Sequence, residues 1–230
     1  MRTEKIIGIL LILGAVGVFI PYTILTIIFD YPNILRQDPG IILTKFHDGG
    51  PRLIFVWFLF AFMGIPLLLA YLSIGKKLDT KLSFVYWATV FGIISVVVQM
   101  IGLLRWTFVV PVLANDFINA PSDTTRETIK IIFKSVHQFG GVLLGEHLGQ
   151  LFTILWTILI AYAFSKLRLF PGWIIWFGYI SAAIYLLAQA ELFATVIPGF
   201  PVWDLAGLIG STMWLVWLVI VGIKLLRVEI

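Results

Sequence analysis

Three ionisable residues stand inside long apolar runs: Arg105 in "IGLLRWTFVVP", Glu146 in "GEHLGQ" and Glu191 in "LLAQAELFATVIPG". A charge placed in hydrocarbon costs a few kcal/mol on insertion scales and is kept where it is paired, wetted or used. One guanidinium with two carboxylates is the chemistry of a buried polar cluster. In such a cluster Arg105 is expected to grip one carboxylate through two parallel hydrogen bonds. The second acid, or His147 beside Glu146, then remains to hold a proton or a ligand. Gln99, Gln150 and Gln189 add neutral donors and acceptors at neighbouring depths. The candidate ligand-binding set is therefore Arg105, Glu146, His147, Gln150, Gln189, Glu191 and Gln99. The plainer alternative is an interhelical salt bridge that fixes packing and does nothing else.

Depth is what would bring these residues together. Hydrophobic residues make up 60% of the 230 and charged residues only 12%, with a mean hydropathy of +1.04. A water-soluble domain cannot cover that much apolar surface. A hydrocarbon core of roughly 30 Å needs about 20 helical residues at 1.5 Å each. Six runs meet that length, near 6–28, 53–75, 83–113, 143–165, 173–196 and 203–226. Backbone groups in lipid must satisfy one another, so each run is a helix. The expected fold is an all-α polytopic bundle of six transmembrane helices, a single domain over 1–230. Counted from Ser83, Ser165 and Trp173 at one end of their helices, Arg105, Glu146 and Glu191 lie 22, 19 and 18 residues away. These are heights of roughly 33, 28 and 27 Å. Three helices thus present charge at one level.

Orientation follows the basic residues. One side holds Arg2, Lys5, Lys76, Lys77, Lys81, Lys166, Arg168, Lys224 and Arg227, against Arg36, Lys45, Arg52, Arg126, Lys130 and Lys134 on the other. Lysine and arginine bias in short loops marks the cytoplasmic side. Both termini are therefore expected in the cytoplasm, in a multi-pass protein of the cell (inner) membrane. The net charge of +4 reads as this topology signal and not as a nucleic-acid surface. The first run is too long for the apolar core of a signal peptide and no A-x-A site follows it, so it is expected to stay as the first helix.

The connections carry their own signals. Residues 29–52, with Pro32, Pro39 and a Gly-Gly pair, read as an irregular loop with one short helix. In 114–142, Thr124 with Glu127 three residues on fits a capping box. Ile129, Ile132, Phe133 and Val136 then recur at helical spacing opposite Arg126, Lys130 and Lys134, which makes an amphipathic helix before span four. Pro21, Pro66 and Pro111 should bend their helices. Trp57, Trp87, Trp106, Trp173, Trp176 and Trp203 fall near span boundaries, as an interfacial aromatic belt would.

The segment "HQFGGVLLGEHLGQ" at 137–150 is unusual. Gly141, Gly145 and Gly149 recur every four residues, a smooth face that lets a neighbouring backbone approach. Its two histidines and glutamate invite a metal reading. Only His47, His137 and His147 exist, and three histidines, or two with a carboxylate, would suit zinc. His137 and His147 lie roughly 15 Å apart along one helix, however, too far for a shared ion unless the helix breaks at Gly140–Gly141. A b-type haem would need facing axial histidines from the same set. With no cysteine in the chain, disulfides, thiolate metal sites and thiol nucleophiles are excluded. Phosphate-binding glycine loops and nucleophile elbows are absent.

From about 151 onward the chain resembles an uncharacterised prokaryotic membrane family, domain of unknown function 4386. The resemblance is carried by "SKLRLFPGWIIWFGYISA" at 165–182, by the span ending "LFATVIPG" and by the final helix "STMWLVWLVIVGIKL". The arginine-bearing "GLLRW" of span three is similar to a polar helix of that family. The resemblance implies a six-helix membrane protein and no particular activity. Three functions stay open on the sequence: a ligand or lipid-headgroup binder with an outward polar pocket, a small transporter (proton-coupled, with a homodimer along the glycine seam), and a haem- or zinc-dependent membrane enzyme. The partners expected are the lipid bilayer and a second copy or a partner membrane subunit.

Overall fold

The computed structural model describes residues 3–227, so Arg2 of the topology argument lies outside the described residues. Among the described residues there are helices and turns and no strand. Helix α1 is Thr3–Phe29, followed by a short 3-10 helix Asn33–Arg36, then α2 Pro39–Phe62, α3 Gly64–Leu78, α4 Val85–Phe108, α5 Val110–Ile118 and α6 Asp123–Val136. A π-helix, His137–Leu148, leads into α7 Gly149–Lys166, and α8 Gly172–Leu187, α9 Gln189–Ala194 and α10 Ala206–Arg227 complete the chain. Six helical stretches are long and apolar enough to cross a membrane: Thr3–Phe29, Pro39–Leu78, Val85–Ile118, Asp123–Lys166, Gly172–Ala194 and Ala206–Arg227.

Several local expectations are corrected. Residues 39–52 are helical and not an irregular loop, because Pro39 sits at a helix start and the Asp38 carboxylate accepts from the Gly40 amide. The irregularity shrinks to Gly50, whose φ of 57° breaks the winding just before Pro51. Helix α6 begins one residue after Ser122, not after Thr124. Ser122 is extended, and its hydroxyl accepts from the Thr125 amide. Breaks at Met63 and Val109 precede Pro66 and Pro111, whose rings cannot pass the carbonyl four residues back. Helix α1, by contrast, runs on through Pro21.

The chain forms two compact units, each assembled from separated segments. One, here the seamed unit, contains Met1–Val16, Gly64–Val98 and His147–Ile230. In it α8 packs on both α7 and α10. The α8–α10 approach is backbone on backbone: a Cβ at Gly210 would stand 2.6 Å from the Tyr185 Cα. Ser95 and Thr153, both buried, share a hydrogen bond of 2.6 Å. Small residues and polar bridges of this kind are how helices associate where lipid is as apolar as leucine.

The other, the aromatic unit, contains Gly17–Met63 and Gln99–Glu146. Its core is Phe29, Phe46, Trp57, Phe60, Trp106 and Phe133, with Leu25, Ile34, Leu43 and Val110. The Trp57 and Trp106 indoles stack at 4.8 Å, and Phe29 meets both edge-on. Trp57 and Trp106 are thus core residues and not belt residues, whereas Trp87, Trp173, Trp176 and Trp203 are exposed. In α6, Ile129 and Phe133 are buried while Ile132 faces outward.

Candidate functional site

Arg105 lies in the last turn of α4, where the carbonyl end of a helix favours a cation. It is only 8% exposed. Its Nη1 donates to the Gly102 carbonyl of the same helix. Its guanidinium carbon stands 5.1 Å from the centre of the Trp106 ring, a cation–π distance. The rest of the guanidinium fits because residue 141 has no side chain: a Cβ there would collide with Nη2. Gly102, one turn earlier, faces the π-helix directly, and a Cβ on it would lie 2.6 Å from the Gly145 Cα and 2.8 Å from the Gly140 carbonyl. Gly140 and Gly145 therefore receive the backbone of α4, while Gly141 receives a charge.

The π winding decides where the acid goes. Bonding from i to i+5 closes a wider turn than an α-helix, and such segments are frequent at functional sites. Positions four and five apart then share a face, so 137, 141–142 and 146 line up, and His137, Gly141 and Val142 are the buried residues of the segment. Under α winding Leu144 and Leu148 would stand on that face instead. Glu146 consequently meets Arg36, with Nη2 to Oε2 at 2.8 Å and side-chain exposures of 31% and 19%. No carboxylate pairs directly with Arg105 among the described residues, although Glu146, Tyr31 and Arg36 are near enough to act on its charge. The expected Arg105–carboxylate grip is replaced by an Arg36–Glu146 pair with Arg105 behind it.

Arg36 is the site residue that sequence reasoning missed. It ends the 3-10 helix Asn33–Arg36, inside a stretch read as loop, and was counted only for topology. The available signal was charge arithmetic: one buried arginine against two acids leaves a negative charge that another cation must meet.

His137, considered above only as a metal ligand, belongs to this group. It is 8% exposed, stacked on Phe133 at 5.5 Å and edge-on to Trp106 at 6.2 Å. Both of its ring nitrogens, the Arg105 Nε and the Trp57 Nε1 are buried and have no hydrogen-bond partner among the described residues.

A match to the model of the family described as Domain of unknown function (DUF4386) runs over residues 6–222. The chain belongs to that family. The match reaches well beyond the last third of the sequence that carried the resemblance. No curated protein and no solved structure matches.

In this DUF4386 chain the remaining candidates fall in two places. In the seamed unit, His147, Gln189 and Gln150 form a chain: His147 Nδ1 lies 2.6 Å from Gln189 Oε1, and Gln189 Nε2 donates to Gln150 Oε1 at 2.6 Å. The His147 ring also meets Phe193 edge-on at 5.9 Å. Glu191, half-buried, lies in the first turn of α9, because the expected fifth span is interrupted at Ala188. Gly149 is buried at the start of α7. In the aromatic unit Gln99 is half-buried on α4, and His47 is exposed on α2 with Asp48 at 3.8 Å. Among the described residues no three histidine, aspartate or glutamate side chains converge as metal ligands would.

Proposed function

We propose that this is a multi-pass protein of the cell membrane, both termini cytoplasmic, that binds a small ligand or lipid headgroup at an outward-facing polar site built on Arg36, Arg105 and Glu146. One observation carries the reading: Arg105 is nine-tenths buried, yet Glu146, the carboxylate that acts on its charge, is engaged by Arg36. A bridge that served packing alone would set the buried guanidinium and the carboxylate face to face, because an uncompensated buried charge is strongly destabilising. Here the glycine at 141 and the π winding hold the guanidinium apart from the acid. Preorganised charge of this kind suits a ligand that completes it.

Native mass spectrometry of protein extracted gently from its membrane tests the proposal. A co-purifying small molecule or lipid is expected on the wild type and on Arg126→Gln, whose arginine is exposed on α6, and is expected to be lost from Arg105→Gln. Identical spectra for all three would reduce the cluster to packing. Arg105→Lys, which keeps the charge and loses the planar fork, is expected to retain the ligand only weakly.

A second reading, a small transporter, is favoured by the interruptions at Met63, Val109 and Ala188, since transporters place substrate sites at discontinuous helices. Ligand uptake into proteoliposomes that follows an imposed proton gradient supports it, and binding without uptake rejects it.

A further inference from the structure

Arg52 entered the sequence argument only as a topology charge. In the structure it lines a half-open cleft of about 180 Å³ together with Ile28, Gly49 and Leu53. All four residues belong to the aromatic unit, Ile28 from α1 and the others from α2. The cleft lies where α2 loses its winding. Gly50 takes a φ of 57° ahead of Pro51, and a Cβ placed on it would meet nothing within 4 Å. Arg52 itself is exposed and makes no ion pair or hydrogen bond among the described residues. Asp48, the one acid of α2, stands 3.8 Å from His47.

The depth of the cleft follows from helix length. Lys77 pairs with Glu4, so the end of α3 and the start of α1 lie side by side. Counted from that pair, Ile28 is 24 residues along α1 and Arg52 is 25 residues back through α3 and α2. At 1.5 Å each these are heights of roughly 36 and 38 Å. A hydrocarbon core of roughly 30 Å is passed by then. The cleft therefore stands at headgroup level, in the leaflet opposite the start of α1. A guanidinium without a carboxylate at that level meets water or the anionic oxygens of headgroups.

The border of the cleft narrows the choice. Ile27, beside Ile28, is 77% exposed, and Phe55, one turn deeper than Arg52, is 58% exposed. An occupant that offers an anionic oxygen to Arg52 and hydrocarbon to Ile27 and Phe55 is amphipathic. A soluble phosphate gains nothing from the apolar border. Volume sets the size: 180 Å³ is below the roughly 300–1,000 Å³ of drug-sized sites. It admits a headgroup and leaves the acyl chains outside, along the exposed apolar residues. We propose that this cleft seats the phosphate of an anionic phospholipid on Arg52, whose planar fork matches two phosphate oxygens. The site shares no residue with Arg36, Arg105 and Glu146.

Phosphatidylglycerol and phosphatidylcholine, mixed equally in nanodiscs, are the probes, and native mass spectrometry counts the lipids that stay on the released protein. The wild type is expected to keep one phosphatidylglycerol more than Arg52→Gln. Arg126→Gln, whose arginine is exposed on α6, is expected to match the wild type. Ile28→Trp fills the cleft and leaves Arg52 in place; it is expected to lose the same lipid with a thermal midpoint near that of the wild type. Equal counts for the wild type and Arg52→Gln overturn the proposal. Loss in Arg52→Gln with full retention in Ile28→Trp overturns the cleft as the seat. Equal retention of phosphatidylcholine overturns the choice of an anionic headgroup. Release of the retained lipid by inorganic phosphate at constant ionic strength makes a free phosphate the occupant and overturns the lipid. Arg105→Gln is expected to keep this lipid, so this site and the one proposed above stand or fall independently.

Discussion

The two units solve the same problem, holding apolar helices together, in different ways. In the seamed unit the helices touch at backbones, as at Gly210 against Tyr185, and polar side chains close on one another: Ser95 with Thr153, and His147 with Gln189 and Gln150. In the aromatic unit the contacts are large rings, and among the described residues Trp57 Nε1, Arg105 Nε and both His137 nitrogens lie buried without a hydrogen-bond partner, while in the seamed unit only indole nitrogens, Trp156 Nε1 and Trp214 Nε1, are left so. A satisfied polar network rigidifies, whereas an open one beside fixed charge is where a ligand has something to gain. Under the proposed reading, binding belongs to the aromatic unit and scaffolding to the seamed one.

Three substitutions break or sharpen that contrast. Trp106→Ala removes the ring on which Trp57, Phe46, Phe29 and Arg105 converge, and is expected to cost about 3–5 kcal/mol in detergent unfolding together with the co-purifying ligand. Gly210→Val drives a side chain into the Tyr185 backbone and is expected to cost about 1–3 kcal/mol while the surviving folded fraction keeps its affinity for the co-purifying ligand. A change in that affinity would deny the separation of roles. Ser95→Ala is expected to cost only about 0.6 kcal/mol, the mean for a hydrogen bond between membrane helices, again with binding intact.

How much of this the sequence discloses depends on the range of the interaction. The six spans are legible because burial in lipid is written into every residue of a run. Helix starts are less legible: α2 begins at Pro39, well before the expected 53, and the shift from Thr124 to Ser122 reflects two hydroxyl residues competing for one cap. Trp57 and Trp106 were misplaced because an indole near a span boundary looks the same whether it meets headgroups or another indole. Arg36 escaped because its partner lies 110 residues away, and no local pattern encodes such a pairing. Of the glycines of 137–150, Gly145 lies against the Gly102 backbone and Gly141 against the Arg105 guanidinium. Nothing local showed that Gly141 would seat a guanidinium, since periodicity arguments assume α winding, and this segment does not have it.

That winding also makes the site sensitive to chain length at a point where no ligand-binding side chain stands. Excising Leu143 or Leu144 would let the coil tighten toward the ordinary helical pitch. The carboxylate at 146 would then swing around the axis and away from Arg36, breaking the 2.8 Å pair between them. A one-residue deletion would thus disable the charge arrangement while every charged group remained in the protein.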